Sequence, residues 1–269
     1  MKRVYLEITN ACNLNCSFCT YEKGNLFIPY DKIVDYIRQI KPFCNYVYLH
    51  ILGEPLLHPD FDRILDLLDR QEMNLQLVTN GTLLKDHPDL LWHSCLRKLS
   101  VSLHSISGVE VSSDYFNTID KLIETERKAA LELRFYDPGH LDEKLTEYLN
   151  GLKEKYSFTV TSKKNSVQIK NNTYVYLQEF FRWPKIDDPV INDTGTCHGG
   201  IDMLGITADS QVTLCCLDPK AHNSLGSLAE MSFAEIISSD AYQKRIQEFK
   251  MHRICAPLCK RCAYRLRFK

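Results

Sequence analysis

Short β-rich runs alternate with amphipathic helical stretches along the first part of this 269-residue chain, and that alternation restricts the fold more than any other feature. Residues 4–9, 46–52, 74–79, 98–104 and 131–136 read as strands. Residues 30–40, 59–70 and 141–155 read as helices, with Asp31 in the first turn of one and Pro59 suited to the first turn of another. A sixth strand falls within 158–177, without a fixed register. Strands that alternate with helices require crossover connections, so the expected class is α/β with parallel strands wound right-handed into an open sheet or a barrel.

The side chains along those strands discriminate further. A parallel strand covered on both faces is apolar throughout. Here one parity is polar: Glu7 and Thr9, Tyr48 and His50, Gln76, Ser100, Ser102 and His104, then Glu132, Arg134 and Tyr136. The other parity is apolar, as in Leu6, Ile8, Leu75, Leu77, Val101, Leu103, Leu131, Leu133 and Phe135. The expectation is a curved sheet whose concave side is a wet binding cavity. A sheet with one solvated face is the plainer alternative.

Near residue 181 the texture changes. Arg182-Trp183-Pro184 and Asp187-Asp188-Pro189 read as a linker, followed by a hairpin pairing 205–207 with 212–215, a helix over 232–249 and a cysteine-rich tail. The expected division is therefore 1–180 and 181–269. The formal charge of −1 gives no electrostatic footprint for nucleic acid or an anionic membrane. No stretch has the length of a membrane span, and the first seven residues lack the apolar core of a signal peptide, so a cytoplasmic location is expected.

Eleven cysteines are too many for a cytosolic chain with no further purpose, and an odd number cannot all pair. Cys44 and Cys95 stand alone in the middle and read as small buried hydrophobes. Cys12, Cys16 and Cys19 directly follow the first strand. Three thiolates on one short loop can hold three irons of a [4Fe–4S] cube and leave the fourth open to a small molecule. A zinc site would ordinarily want a fourth ligand, and none is near in sequence. This spacing, with Phe18 just before the third cysteine, resembles the radical S-adenosylmethionine (SAM) superfamily. The resemblance continues in Gly53-Glu54-Pro55 after the second strand, the segment whose backbone meets the amino group of SAM in that family, and in Thr79-Asn80-Gly81 after the third. Ser102 and Arg134 correspond to positions that hold the ribose and carboxylate of SAM. It implies a partial (β/α)6 barrel, with SAM bound at the open iron and cleaved by one electron to a 5′-deoxyadenosyl radical that abstracts hydrogen from substrate.

Cys197, Cys215, Cys216, Cys255, Cys259 and Cys262 form a second group. The pair Cys259 and Cys262 has the two-residue spacing that chelates a metal or cluster from one turn. One cysteine before a hairpin, one at its end and a closing pair after a helix resemble the twitch domain, the single-cluster form of the SPASM extension of radical SAM enzymes. The resemblance implies a small C-terminal α/β domain with a second, auxiliary [4Fe–4S] cluster held by Cys197, Cys215, Cys259 and Cys262. Cys216 and Cys255 are surplus, and Cys215 is preferred over Cys216 because it sits at the hairpin's end. A zinc ribbon stabilising the tail is the alternative.

The implied activity is oxidation of a small polar molecule such as a sugar or cyclitol, with the auxiliary cluster accepting an electron. The seventeen residues between Cys197 and Cys215 match the spacing in twitch-domain dehydrogenases of aminocyclitol antibiotic synthesis. A peptide-modifying maturase is the alternative within the superfamily, weakened by a barrel that begins within a few residues of Met1. A zinc-stabilised binding protein without catalysis is the alternative outside it. Expected partners are a small-molecule or peptide substrate and a flavodoxin- or ferredoxin-type electron donor. Glu7, His50, His104, Tyr136 and Asp218 are candidates for substrate contact or proton transfer.

Overall fold

The computed structural model describes residues 1–19, 22–161 and 164–268. Its strands are β1 (Arg3–Leu6), β2 (Tyr46–Tyr48), β3 (Asn74–Thr79), β4 (Leu96–Ser102), β5 (Ala130–Tyr136), β6 (Ser166–Lys170), β7 (Thr173–Gln178), β8 (Met203–Ile206), β9 (Gln211–Thr213) and β10 (Ser224–Ser227). Its α-helices are α1 (Tyr30–Ile40), α2 (Phe61–Arg70), α3 (Asp114–Glu124), α4 (Glu143–Tyr156), α5 (Phe233–Ser238) and α6 (Asp240–Lys250). Two compact units each gather separated stretches of chain. One comprises Met1–Ala11, Glu22–Gly53 and Phe181–Lys269, and the other Cys12–Tyr21 and Glu54–Phe180.

In the first unit the strand order is β10-β9-β8-β1-β2. β1 runs parallel to β2, with Val4 opposite Val47, and parallel to β8, with Arg3 to Leu6 opposite Met203 to Ile206. The expected hairpin is β8–β9, with Gly205 opposite Thr213, and β10 adds an antiparallel strand that the sequence pattern did not suggest. Helix α1 begins directly after Pro29 and buries Ile33, Tyr36, Ile37 and Ile40 on one face. It is tied to the C-terminal stretch by Tyr36 Oη and Ser210 Oγ at 2.6 Å and by the Phe233 amide, which donates to Gln39 Oε1 at 2.8 Å. The single helix expected over 232–249 is instead two. Ser239 is extended (ψ 151°) and its hydroxyl caps the Tyr242 amide, so the chain stops α5 and restarts as α6.

In the second unit the order is β3-β4-β5-β7-β6. β3, β4, β5 and β7 are parallel, whereas β6 and β7 are antiparallel, so the one strand expected within 158–177 is a hairpin. Its turn passes through Asn171 at φ 46°, the left-handed region that asparagine tolerates. Helix α3 was not anticipated, although Tyr115, Ile119 and Ile123 recur at four-residue spacing and are all buried. Helix α2 starts at Phe61 rather than residue 59, because a 3-10 turn over Pro55–Leu57 precedes it.

Burial along β3 and β5 follows the expected parity. Leu75, Leu77, Leu131, Leu133 and Phe135 are buried, each contributing about 1.5–3 kcal/mol, while Gln76, Glu132 and Arg134 are half-buried. Register sets Ser100 beside Glu132 and Ser102 beside Arg134, which collects the polar side chains of adjacent strands in rows. The stretch just after β1 departs from that parity, since Glu7 and Thr9 are as deeply buried as Ile8. Cys44 and Cys95 are buried, as expected. No helix among the described residues is long and apolar enough to cross a membrane.

Candidate functional site

The second unit carries the loop of Cys12, Cys16 and Cys19. Cys12 and Cys16 are half-buried and Cys19 is exposed. The Leu14 amide faces Cys12 Sγ at 3.5 Å, the Cys16 thiol points at the Ser105 carbonyl at 3.3 Å, and the Cys19 amide closes a turn on the Cys16 carbonyl at 3.0 Å. These are three thiols of partial exposure on one short turn, the donor set that an iron–sulfur cube with an open iron requires.

A polar bracket holds this loop. Asn80 Nδ2 donates to Asn13 Oδ1 at 2.9 Å, and Asn13 Nδ2 donates to Thr82 Oγ1 at 2.7 Å. Asn80 Oδ1 in turn accepts from the Thr82 amide and hydroxyl, at 2.9 and 2.7 Å, and the Asn80 carbonyl accepts from Tyr115 Oη at 2.8 Å. Asn13, Thr82, Ser105 and Tyr115 were not singled out in the sequence, because each meets the site through a partner tens of residues away. The Thr79 hydroxyl donates to Glu54 Oε1 at 2.8 Å and accepts from the Gly81 amide at 3.0 Å. Gly81 sits at φ 84°, where a Cβ would approach the Val101 side chain to 2.9 Å.

Glu54 is 1 % exposed, and its carboxylate also accepts from the Asn80 amide at 2.7 Å and the Leu56 amide at 3.2 Å. Burial pushes its pKa up to about 7, against the pull of those donors. The Glu54 side chain therefore staples the 3-10 turn containing Pro55 to the end of β3. That leaves only the backbone of this segment for a ligand, the part the family resemblance assigns to SAM. Gly53, in the other unit, has φ 75°, and a Cβ there would lie 2.4 Å from the Thr9 carbonyl oxygen and 2.9 Å from that of Ala11. Only glycine permits that approach.

At the ends of β4 and β5 an aromatic wall faces the cysteine loop. Phe18 stacks tilted on His104 and edge-on to Tyr136, both with centroids at 5.2 Å, and His104 lies 4.1 Å from Tyr136. His104 Nδ1 is 3.2 Å from the Arg134 carbonyl, an acceptor only, so Nδ1 carries the proton. Burial pushes the His104 pKa down to about 3, so the ring is neutral at pH 7. Burial likewise pushes Tyr136 up to about 12, with smaller contributions from Cys16 and Cys19. The Arg134 guanidinium reaches Gln178 Oε1 and lies 4.0 Å from Glu132, leaving a charged fork in register with Ser102.

The second cysteine group lies in the first unit. Burial raises the pKa of Cys197, Cys215, Cys259 and Cys262, and the charge of Cys197 adds to the rise in the other three. Four desolvated sulfurs that repel one another as thiolates are stable as anions only with compensating positive charge or N–H donors. Donors are present. The Gly199 amide faces Cys197 Sγ at 3.4 Å and Asn223 Nδ2 faces Cys259 Sγ at 3.6 Å. Gly199 packs closely on the end of the hairpin, where a Cβ would stand 3.2 Å from the Leu214 carbonyl oxygen. Among the described residues, no three or more His, Cys, Asp or Glu side chains converge to hold a single metal ion.

Cys216 interacts with Tyr5, and it is also electrostatically coupled to Cys215 and Cys197. Cys255 is half-buried, next to Ile254, whose amide bonds the Asp193 carbonyl at 2.7 Å. Asp218 is buried and spent on structure. It accepts from the Thr213 hydroxyl at 2.9 Å and from the His222 and Asn223 amides at 2.9 and 2.8 Å, and so aims Asn223 at Cys259. Arg265, which the sequence did not single out, bonds the Cys259 carbonyl at 2.8 Å.

Glu7 and His50 also belong to the first unit. The Glu7 carboxylate joins the Leu52 amide at 2.7 Å to the Ala208 amide at 2.8 Å, and burial pushes its pKa up to about 7 against those two donors. His50 packs on Tyr5 and Tyr48, at 5.8 and 5.9 Å between centroids. The polar strand positions thus serve two ends. His104 and Tyr136 pack on Phe18 of the first cysteine loop in one unit, with Ser102 and Arg134 in register at the same strand ends, while Glu7 braces the other.

Comparison with known proteins gives a family match for each part of the chain. The sequence profile of the radical SAM superfamily matches residues 6–151, and that of an iron–sulfur cluster-binding domain, SPASM, matches residues 197–263. A GTP 3′,8-cyclase of Staphylococcus saprophyticus is 31 % identical over 113 residues, covering 38 % of this chain and 33 % of the cyclase. The chain thus spans only about a third of that curated relative. Among solved structures, BtrN in complex with AdoMet and 2-DOIA superposes with a TM-score of 0.57 at 14 % identity, over 97 % of this chain and 92 % of BtrN. Streptococcus suis SuiB bound to S-adenosylmethionine gives 0.61 at 16 % identity, over 97 % and 71 %. At such identities the likeness is one of fold. With more than half its length matched by the superfamily profile, and with the cysteine loop and its bracket in place, this chain belongs to the radical SAM superfamily and carries a C-terminal SPASM domain.

Proposed function

We propose that the chain oxidises a small polar substrate, such as a sugar or cyclitol, by hydrogen abstraction, with the C-terminal site receiving the electron that remains. When bound, the two [4Fe–4S] clusters supply the electron that cleaves SAM and the acceptor that completes a two-electron oxidation. The protein's own residues do the rest. Cys12, Cys16 and Cys19 hold the first cluster, with the backbone of Gly53, Glu54 and Pro55 and the side chains of Ser102 and Arg134 positioning SAM. Thr79 and Asn80 hold the shape of that site through the bracket on Asn13. Phe18, His104 and Tyr136 form a neutral wall that keeps water from the reacting carbon. Cys197, Cys215, Cys259 and Cys262 hold the acceptor.

The observation that carries this reading is the group of four desolvated thiols faced by N–H donors. The boundary between the radical-forming and electron-accepting parts is placed at 180/181. A flavodoxin- or ferredoxin-type protein supplies the first electron, and the reaction is assigned to the cytoplasm.

The test uses anaerobically reconstituted protein, SAM, dithionite and a panel of deuterated inositols and aminocyclitols. Deuterium appearing in 5′-deoxyadenosine, together with a ketone product, is the expected result. Replacing Cys12, Cys16 and Cys19 by alanine should abolish SAM cleavage, whereas Cys259→Ala with Cys262→Ala should spare it and stop product formation. Normal turnover by the second variant would overturn the acceptor role. Transfer from a deuterated peptide and none from the panel would move the substrate to the peptide class.

A further inference from the structure

We propose that Arg265 is the counter-charge of the C-terminal thiolate site and raises the reduction potential of the cluster held there. The proposal rests on the reading of Cys197, Cys215, Cys259 and Cys262 as ligands of an auxiliary iron–sulfur centre. Arg265 is 3 % exposed, in a chain where the other arginines keep more contact with solvent. Its Nε donates to the Cys259 carbonyl at 2.8 Å, Nη1 to the Thr194 carbonyl at 2.8 Å, and Nη2 to the Asn192 carbonyl at 2.9 Å and to Asn192 Oδ1. Every one of these acceptors is neutral. Among the described residues no carboxylate pairs with it, so the guanidinium is buried with its charge uncancelled.

A guanidinium does not shed its proton to escape that cost, so a fixed positive charge this deep needs an anion nearby. The four-thiol site is the anion proposed here. The guanidinium is held by the Cys259 carbonyl on one side and by the carbonyls of Asn192 and Thr194 on the other, so it lies in the segments that carry the site's thiols. The local construction keeps it there. A 3-10 turn over Ala263–Arg267 brings the side chain back to the carbonyl of Cys259, and the same fork grips 192–194, the stretch that leads to Cys197. Gly195 (φ 115°) leaves the room, since a Cβ there would stand 3.2 Å from Nη1. One side chain therefore joins the first and last ligand segments and places a positive charge between them.

A [4Fe–4S] cube on four thiolates is an anion before it is reduced and more so afterwards. Reduction adds one electron and no proton, so a fixed cation beside the sulfurs favours the reduced state. A neutral clamp of the same shape would hold the segments together without that bias. The charge and the clamp can therefore be separated by substitution.

The experiment is a potentiometric titration, followed by electron paramagnetic resonance, of the full chain carrying Cys12→Ala, Cys16→Ala and Cys19→Ala, so that only the C-terminal centre contributes. Arg265→Gln should lower the equilibrium constant for reduction at least ten-fold, about 59 mV for a one-electron couple, while Arg265→Lys stays within three-fold of the parent. Asn192→Asp supplies the control for folding. It sets a carboxylate against Nη2, cancels the charge with the fork intact, and should shift the potential in the same direction. Full iron loading with an unchanged potential in both Arg265→Gln and Asn192→Asp would overturn the counter-charge and leave the cluster site standing. Absence of iron in the cysteine-substituted parent itself would overturn the auxiliary centre and this proposal with it.

Discussion

Replacing Gly53 by alanine puts the close approach behind the second strand to a quantitative test. The added Cβ would sit 2.4 Å from the Thr9 carbonyl oxygen, 2.9 Å from that of Ala11 and 3.1 Å from Asn10 Cα. Ordinary carbon–oxygen contact would require the 9–11 segment to withdraw by about 1 Å. That segment is not free to move, because the Thr9 hydroxyl donates to the Leu26 carbonyl at 2.8 Å and accepts from the Ala11 amide at 3.0 Å. An alanine at φ 75° costs about 1–2 kcal/mol, the crowding about 1–3 kcal/mol, and a lost hydrogen bond about 1 kcal/mol. The expected loss is about 3–6 kcal/mol. For a chain of this length that corresponds to a melting point lower by roughly 6–24 °C. Urea unfolding of the anaerobic protein, followed by circular dichroism, reads the first figure, and a thermal scan the second. A loss below about 1 kcal/mol, with iron content unchanged, would refute the argument that glycine is demanded here.

Three further outcomes are expected. Asn80→Ala removes three hydrogen bonds from the bracket on the cysteine loop, so about 2–3 kcal/mol of stability should go, with faster loss of the N-terminal cluster than of the C-terminal one; equal rates of iron release would contradict the bracket's role. Cys215→Ser should leave the chain with about four irons, and Cys216→Ser with about eight, by iron and sulfide analysis; the reverse would exchange the two cysteines. For Glu7, the folded pKa near 7 lies above its ordinary value, so the folded state keeps its proton longer and stability falls as pH rises from about 4.5 to about 7. Glu54 acts in the same sense, and His104, held near 3, acts in the opposite sense up to about 6.5. The measurement is therefore the difference between parent and Glu7→Gln in urea midpoints from pH 5 to 8, and a parent stability that rises relative to the variant across that range would refute it.

Much of the site was legible because local spacing encodes it. Three cysteines within eight residues must meet on one loop whatever the fold, and two cysteines two residues apart must share a turn. Strand parity was legible for the same reason in β3 and β5, where side chains two residues apart share a face. It misled at Glu7, whose carboxylate meets the amides of Leu52 and Ala208. It also gave no sign that Asp218 is a brace for Asn223 or that His104 is a neutral wall residue.

The sequence by itself determined the two cysteine groups, the alternating α/β order and the superfamily they imply, since each rests on neighbours within a turn or a strand. Tertiary structure alone decided that β8 would lie parallel beside β1 and that Asn13 would be held by Asn80. It also decided that Arg265 would be buried beside Cys259 and bonded to 192–194, with no carboxylate pairing it among the described residues. The pairings of β8 with β1, Asn80 with Asn13 and Arg265 with 192–194 join residues that are distant along the chain. What fixes them is the desolvation of charges and the satisfaction of hydrogen bonds across packed elements, which no local pattern of residue types records.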